Sequence, residues 1–115
     1  MHEMSIALQI IEIATSAIPA NLGEVTVEQV NLKVGKFSAV IPDNLRFCFK
    51  VVAAETPFAN ANLNIDEIPI VAQCRSCHYK WTVEKPVFIC KKCESGSVEI
   101  ISGRELNIES IKLAD

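Results

Sequence analysis

Cys74-Arg75-Ser76-Cys77 and Cys90-Lys91-Lys92-Cys93, twelve residues apart, are the stretch on which the reading of this 115-residue chain turns. A two-residue spacer lets a tight turn aim both sulfurs of one pair at a single point. Two such turns, joined by a hairpin, close four sulfurs on each other. Four soft thiolates in a tetrahedron suit Zn²⁺, which has no d-electron geometric preference and binds sulfur at about 2.3 Å. The separation is slightly shorter than the roughly 15 to 20 residues usual between such pairs, and Tyr79 to Val83 with Val87 to Ile89 supply the two arms of a short hairpin that spans it. A closed all-thiolate shell has no position for a reacting water, so zinc held by Cys74, Cys77, Cys90 and Cys93 is expected to be structural.

Three other chemistries compete for these cysteines. Cys74-Arg75-Ser76-Cys77-His78 matches the Cys-x-x-Cys-His pattern of haem attachment. That reading needs an export signal, which the sequence does not show, and leaves Cys90 and Cys93 without a role. A thioredoxin-like dithiol belongs at a helix start within a βαβ unit, whereas the surroundings here read as a hairpin. Nucleic-acid binding is the third. From Cys74 to Cys93, Arg75, Lys80, Lys85, Lys91 and Lys92 stand against Glu84, a charge of +4. Four thiolates and one Zn²⁺ reduce that to about +2, a charge that equally suits an acidic protein surface.

The chain is of a length for one domain carrying a small insert, and half of it is hydrophobic, ample for a core. A net charge of −3 and a pI of about 5.4 speak against nucleic acid as the partner, since its binders carry a basic footprint. The fifth cysteine, Cys48, lies between Phe47 and Phe49 and reads as a small buried thiol. Free thiolate ligands imply a reducing, cytoplasmic setting. The apolar run 4–18 is interrupted by Gln9 and Glu12, lacks a positive lead-in and is too short for a bilayer, so no membrane role is expected.

Around the cysteines the chain reads as alternating helices and strands. Met4, Ala7, Leu8, Ile11, Ala14 and Ile18 fall at helical steps, widened by Ile6, Ile10, Ile13 and Ala17, which predicts a helix laid on a sheet and ended by Pro19. Val25 to Val34 reads as a strand whose alternation changes phase near Glu28-Gln29, predicting a bulge. Pro42 opens a second helix with Leu45, Cys48, Phe49, Val52 and Ala53 as its apolar side. Ala61, Leu63 and Ile65 alternate with polar residues as a half-buried strand. Leu106, Ile108, Ile111 and Leu113 form a last strand whose phase slips as the first one does, so the two are expected to be neighbours. The predicted fold is α/β: two helices on one face of a three-stranded mixed sheet, with a zinc-ribbon hairpin inserted before the last strand. Residues 1–68 and 104–115 make the layered domain, and residues 69–103 the zinc-binding domain.

At the other end stands Met1-His2-Glu3. The α-amine and the His2 amide nitrogen form one chelate ring, and that amide with imidazole Nδ1 forms a second. A further backbone nitrogen, that of Glu3, completes four nitrogen donors. Such a set suits planar Ni²⁺ or Cu²⁺ and not Zn²⁺, and its affinity rises with pH because the amine and amides must lose protons. A second residue is also commonly just solvated and frayed, and the residues by themselves leave both readings open.

Met1-His2-Glu3-Met4-Ser5-Ile6-Ala7, the apolar helix, the paired cysteine motifs and Ser102-Gly103-Arg104-Glu105-Leu106 together resemble the HypA/HybF family of hydrogenase nickel-incorporation proteins, over essentially the full chain. The resemblance implies a metallochaperone, not an enzyme, that binds Ni(II) at its N-terminus and delivers it to the large subunit of [NiFe]-hydrogenase. It implies His2 as the essential nickel ligand, with the Met1 amine and the backbone of His2 and Glu3 beside it, and structural Zn(II) on Cys74, Cys77, Cys90 and Cys93. The implied partners are the GTPase HypB, the hydrogenase large subunit and, for some members, urease maturation factors, with the chain acting as a monomer or homodimer. Some members carry histidines flanking the zinc cysteines; here only His78 answers to them. From the residues, an enzyme is disfavoured because two histidines, one terminal and one on the ribbon, assemble no nucleophile–base set. A zinc-ribbon recognition module remains the alternative.

Overall fold

A computed structural model of the chain describes residues 3–115. Met1 and His2, two of the three residues expected at the nickel site, lie outside the described residues, whereas Glu3 lies within them. The elements in chain order are α1 (Glu3–Ala17), β1 (Val27–Gly35), α2 (Pro42–Ala53), β2 (Asn62–Ile68), β3 (Val71–Cys74), β4 (Lys80–Thr82), β5 (Val98–Ser102) and β6 (Leu106–Leu113). Two compact units result. One runs up to Lys33 and includes Val40–Asp66 and Asn107–Asp115; the other comprises Val34–Ala39 and Glu67–Leu106. No helix among the described residues is long and apolar enough to cross a membrane.

The first unit is the α/β layer. In α1, Ile6, Ala7, Ile10 and Ala14 are buried at steps of one, three and four, while Met4, Leu8 and Ile13 are exposed. The expected stripe thus rotates toward Ile6 and Ile10. The helix is apolar over more of its circumference than its neighbours cover, and periodicity alone does not choose the covered sector. Its last turn is softened by side chains that bond back to the preceding turn, Thr15 to the Ile11 carbonyl at 2.6 Å and Ser16 to the Glu12 carbonyl at 3.0 Å. In α2, Pro42 occupies the first turn, where its missing N–H costs nothing. Leu45, Phe49 and Ala53 are buried four residues apart, and Cys48 and Val52 are only half-buried. Cys48 is therefore not the core thiol expected.

Phe58, in the loop after α2, is the largest fully buried side chain and meets Phe49 edge-on, ring centroids 6.5 Å apart. Burying each such ring contributes roughly 1.5 to 3 kcal/mol. The loop is held by Ala53, whose carbonyl accepts from the Thr56 amide at 3.0 Å and its hydroxyl at 2.6 Å.

β1 is the middle strand of the order β2-β1-β6. Its residues Val27, Val30, Leu32 and Val34 are buried, so alternation does change phase across Glu28-Gln29. Contacts from Thr26 to Ala114, Glu28 to Lys112, Asn31 to Ser110 and Lys33 to Glu109 run in opposite numerical order, making β6 antiparallel to β1. On the other side, contacts from Val27 to Pro57 and from Asn31 to Asn64 advance together, as a crossover through α2 to a parallel strand requires. The sheet is mixed. On its polar face Asn31 bridges all three strands, donating to Ser110 Oγ at 2.9 Å and accepting from Asn64 at 3.0 Å.

The second unit is a small antiparallel sheet of order β4-β3-β5. Ala72, in its middle strand, faces Trp81 on β4 and Ile100 on β5, and the β3–β5 register shifts between Val71 and Ala72. The hairpin expected between 79–83 and 87–89 is not formed. β4 pairs with β3 instead, because the turn after Cys74 sends the chain straight back along it, with the Cys74 amide donating to the Tyr79 carbonyl at 2.9 Å. Pro86 also removes a donor from the opposite arm.

Two glycines close the unit's backbone. A Cβ on Gly35 would collide with the Gly103 carbonyl, and Gly103 itself has φ +110°. Gly35→Ala is therefore expected to destabilise the protein by about 2 kcal/mol or more through overpacking. Gly96→Ala, where the space is open, should stay within about 0.5 kcal/mol of the parent. Urea denaturation of both variants checks the contrast.

Candidate metal centre

The two cysteine pairs fold into matching turns. In the first, Cys74 ends β3 and its carbonyl accepts from the His78 amide at 2.9 Å; in the second, the Cys90 carbonyl accepts from the Glu94 amide at 2.8 Å. His78 and Glu94 both adopt left-handed backbone, φ +65° and +60°, which turns the chain away after each pair. Each turn leaves its first cysteine buried and its second exposed. Backbone amides point at the buried sulfurs: Cys77 N–H to Cys74 Sγ at 3.5 Å and Lys92 N–H to Cys90 Sγ at 3.4 Å.

The turns interleave their sulfurs. Cys74 Sγ lies 3.5 Å from Cys93 Sγ and Cys77 Sγ 3.5 Å from Cys90 Sγ, and all four are within 4.8 Å of one another. A tetrahedron with metal–sulfur bonds of about 2.3 Å has sulfur–sulfur edges of roughly 3.8 Å, so the arrangement fits one ion bound by all four. The separations are far beyond a disulfide bond of about 2.05 Å, and all five cysteines are free.

The protonation chemistry agrees. Cys74 is lowered to about 6, chiefly by the Cys77 backbone N–H, against the opposing effect of burial. For Cys90, burial raises the thiol but is outweighed by the N–H groups of Cys93 and Lys92, so it too is lowered. Cys93 goes the other way, to about 12: the Ser95 N–H favours its thiolate, but the Cys74 sulfur, burial and the sulfurs of Cys77 and Cys90 prevail. Negative charge on the first sulfurs forbids it on the last. A divalent cation at the centre removes that conflict and lets all four ionise.

The cluster joins the four cysteines that the sequence singled out and uses no fifth group. His78 is exposed at the left-handed corner of the first turn; its carbonyl accepts from Gln73 Nε2 at 3.2 Å. With Cys90 and Cys93 drawn into one cluster with Cys74 and Cys77, the haem and dithiol readings lose their basis, and the first pair follows a strand and not a helix start. Glu3 opens α1, half-buried, and its carboxylate accepts the Ile41 amide at 3.4 Å. Phe58, and the packing of Phe37 between Phe88 and the Arg104 guanidinium, were missed by sequence reasoning. The only hint was an isolated aromatic in each of two turn-rich stretches.

These features define a small metal-binding protein, an α/β layer whose chain also builds a four-cysteine ribbon. Two solved structures share the fold. "Solution structure of the Ni metallochaperone HypA from Helicobacter pylori" matches with a TM-score of 0.66 at 23% identity over 98% of this chain and 97% of that one. "Solution structure of HypA protein" matches at 0.71, also at 23% identity, over 99% and 97%. A family model described as "Hydrogenase/urease nickel incorporation, metallochaperone, hypA" covers residues 1–113. The hydrogenase maturation factor HypA of Desulfatibacillum aliphaticivorans is 56% identical over all of this chain and 88% of its own length. That of Desulfosudis oleivorans is 49% identical over all of both. The chain belongs to the HypA family of hydrogenase nickel-incorporation metallochaperones.

Cys74→Ala or Cys93→Ala is expected to release the ribbon's metal and unfold the ribbon, while the helical circular dichroism of the α/β layer persists. One metal per chain retained in either variant contradicts four-cysteine ligation. Because binding displaces thiol protons, that of Cys93 above all, affinity should fall as the pH is lowered. The expected loss is about tenfold per pH unit for each proton displaced, read by competition with a chromophoric chelator.

Proposed function

We propose that this chain carries Ni(II) at its N-terminus and delivers it to the large subunit of [NiFe]-hydrogenase, without catalytic turnover. His2 is the essential ligand, with the Met1 amine and the backbone of His2 and Glu3 beside it. The observation that carries the reading is Met1-His2-Glu3 at the head of a chain that the family model covers from residue 1. The chemistry of Glu3 supports it. As the first residue of α1, its backbone N–H has no partner within the helix and is free to act as a nitrogen donor. Its carboxylate meanwhile is engaged by Ile41, so Glu3 tethers the position next to His2 to the start of α2. An exposed site that gains nickel only by losing protons also releases it readily, as a carrier requires.

In this proposal Zn(II) occupies the ribbon as a structural ion, held by Cys74, Cys77, Cys90 and Cys93. Soft thiolates in a closed tetrahedron favour zinc, whereas nickel favours the nitrogen set. Residues 1–68 with 104–115 serve as the nickel-binding domain and 69–103 as the zinc-binding domain. The partners are the GTPase HypB and the hydrogenase large subunit, in the cytoplasm; urease maturation factors join them in those members of the family that also serve urease. The acidic balance of −3 speaks against nucleic acid.

Calorimetric titration of Ni²⁺ into untagged, zinc-loaded protein tests the reading, since an N-terminal tag removes the amine donor. Stoichiometric binding is expected, lost in His2→Ala with zinc content and circular dichroism unchanged. Equal nickel affinity in that variant would falsify the terminal site.

A further inference from the structure

We propose that the groove beside β4 in the ribbon unit docks a short acidic protein segment bearing apolar side chains. The proposal is independent of where nickel binds. The groove, about 380 Å³, lies between the two arms that fail to pair as a hairpin. Trp81 and the buried Val83 line one side, Val87 and Ile89 the other, and Lys85 and Lys91 stand among them. Phe88 packs edge-on against Phe37 at 6.2 Å, whereas its neighbours Val87 and Ile89 remain 55% and 52% exposed in the groove. Aliphatic side chains held open in this way, on a unit with few buried ones, mark an interaction surface.

The charge around the groove sets the kind of partner. Among the described residues, all three ion pairs, Lys33–Glu109, Arg46–Asp43 and Lys112–Glu28, lie in the α/β unit. Lys85 and Lys91, the cations of the lining, have no carboxylate within 4.0 Å among the described residues, although Glu84 shares the lining. Close by, the Lys92 ammonium sits 5.8 Å from the centre of the Tyr79 ring. Tyr79 in turn stacks on Trp81, centroids 5.9 Å apart and planes 15° from parallel. The stack continues the apolar floor outward and keeps a cation beside it.

Unpaired cations around an apolar floor complement carboxylates alternating with aliphatic side chains. The aliphatic walls disfavour a phosphate backbone, which offers them no apolar side chains. β4 is also an edge strand, so a segment lying along it meets backbone groups that β3 does not use.

Trp81 is the only tryptophan, so its emission reports on the groove directly. The experiment titrates the full-length, metal-loaded chain with a synthetic peptide alternating aspartate and leucine. Comparison ligands are its lysine-for-aspartate counterpart, an all-aspartate peptide and oligothymidylate. The expected result is a saturable change in Trp81 emission with the first peptide alone. Lys85→Glu with Lys91→Glu, and separately Val87→Ser with Ile89→Ser, should weaken binding roughly tenfold at unchanged metal content. The peptide comparison stands on the parent protein even where a variant fails to fold. The proposal is overturned if the lysine peptide or the all-aspartate peptide binds equally well. Tighter binding of oligothymidylate, or no saturable binding, overturns it too.

Discussion

Mutual repulsion among four sulfurs held within 4.8 Å of one another is the constraint on which the ribbon depends. Its strands are three to five residues long, and its buried apolar side chains are few: Val34, Ala72 and Val83 beside the ligands Cys74 and Cys90. A sheet of that size does not stabilise itself through hydrophobic burial. The neighbouring sulfurs oppose the Cys93 thiolate, and a cation among them removes that opposition. Binding free energy at such a centre is folding free energy. The backbone amides directed at Cys74 and Cys90, and the left-handed corners at His78 and Glu94, are what present the sulfurs in a geometry that one ion can satisfy.

The α/β unit rests on the opposite principle. Val27, Val30, Leu45, Phe49 and Phe58 give it a core that needs no ion. Its functional contribution is positional. α1 is anchored by Ile6, Ala7 and Ile10 close to its start, and Glu3 is tied to Ile41. The first turn of α1 is thereby held against the start of α2.

Charge is divided between the two units as stability is. In the α/β unit the cations Lys33, Arg46 and Lys112 are paired across strands or along a helix. Such exposed pairs add little stability, at most about 1 kcal/mol each, and the unit stays acidic, with nine carboxylates against four cations. In the ribbon, Lys85 and Lys91 stand without a carboxylate within 4.0 Å, among the described residues, beside the exposed Val87 and Ile89. The overall charge of −3 gathers in the α/β unit, while the segment from Cys74 to Cys93 keeps about +2 with its thiolates and one divalent ion counted.

Element types and the metal ligands were legible in the sequence because each is encoded locally. Helical spacing, strand alternation, Pro42 at a helix start and the Cys-x-x-Cys spacer act within a few residues of themselves, and the matching phase slips of β1 and β6 even identified them as neighbours. What the sequence left open were choices between surfaces that compete for the same partner. Only packing selects Ile6 and Ile10 over Met4 and Leu8 in α1, since the helix is apolar on both sectors and the layer covers one. Only the completed ribbon shows that β4 pairs with β3 and not with residues 87–89, because the return of the chain after Cys74 reaches β3 first and Pro86 cannot donate. Phe58 and Phe37 lie in turns with no period to announce them, and their burial exists only once distant segments close around them. Local pattern determined which pieces form and which sulfurs bind metal; the tertiary structure decided which apolar faces are covered, because burial is a property of neighbours and not of spacing.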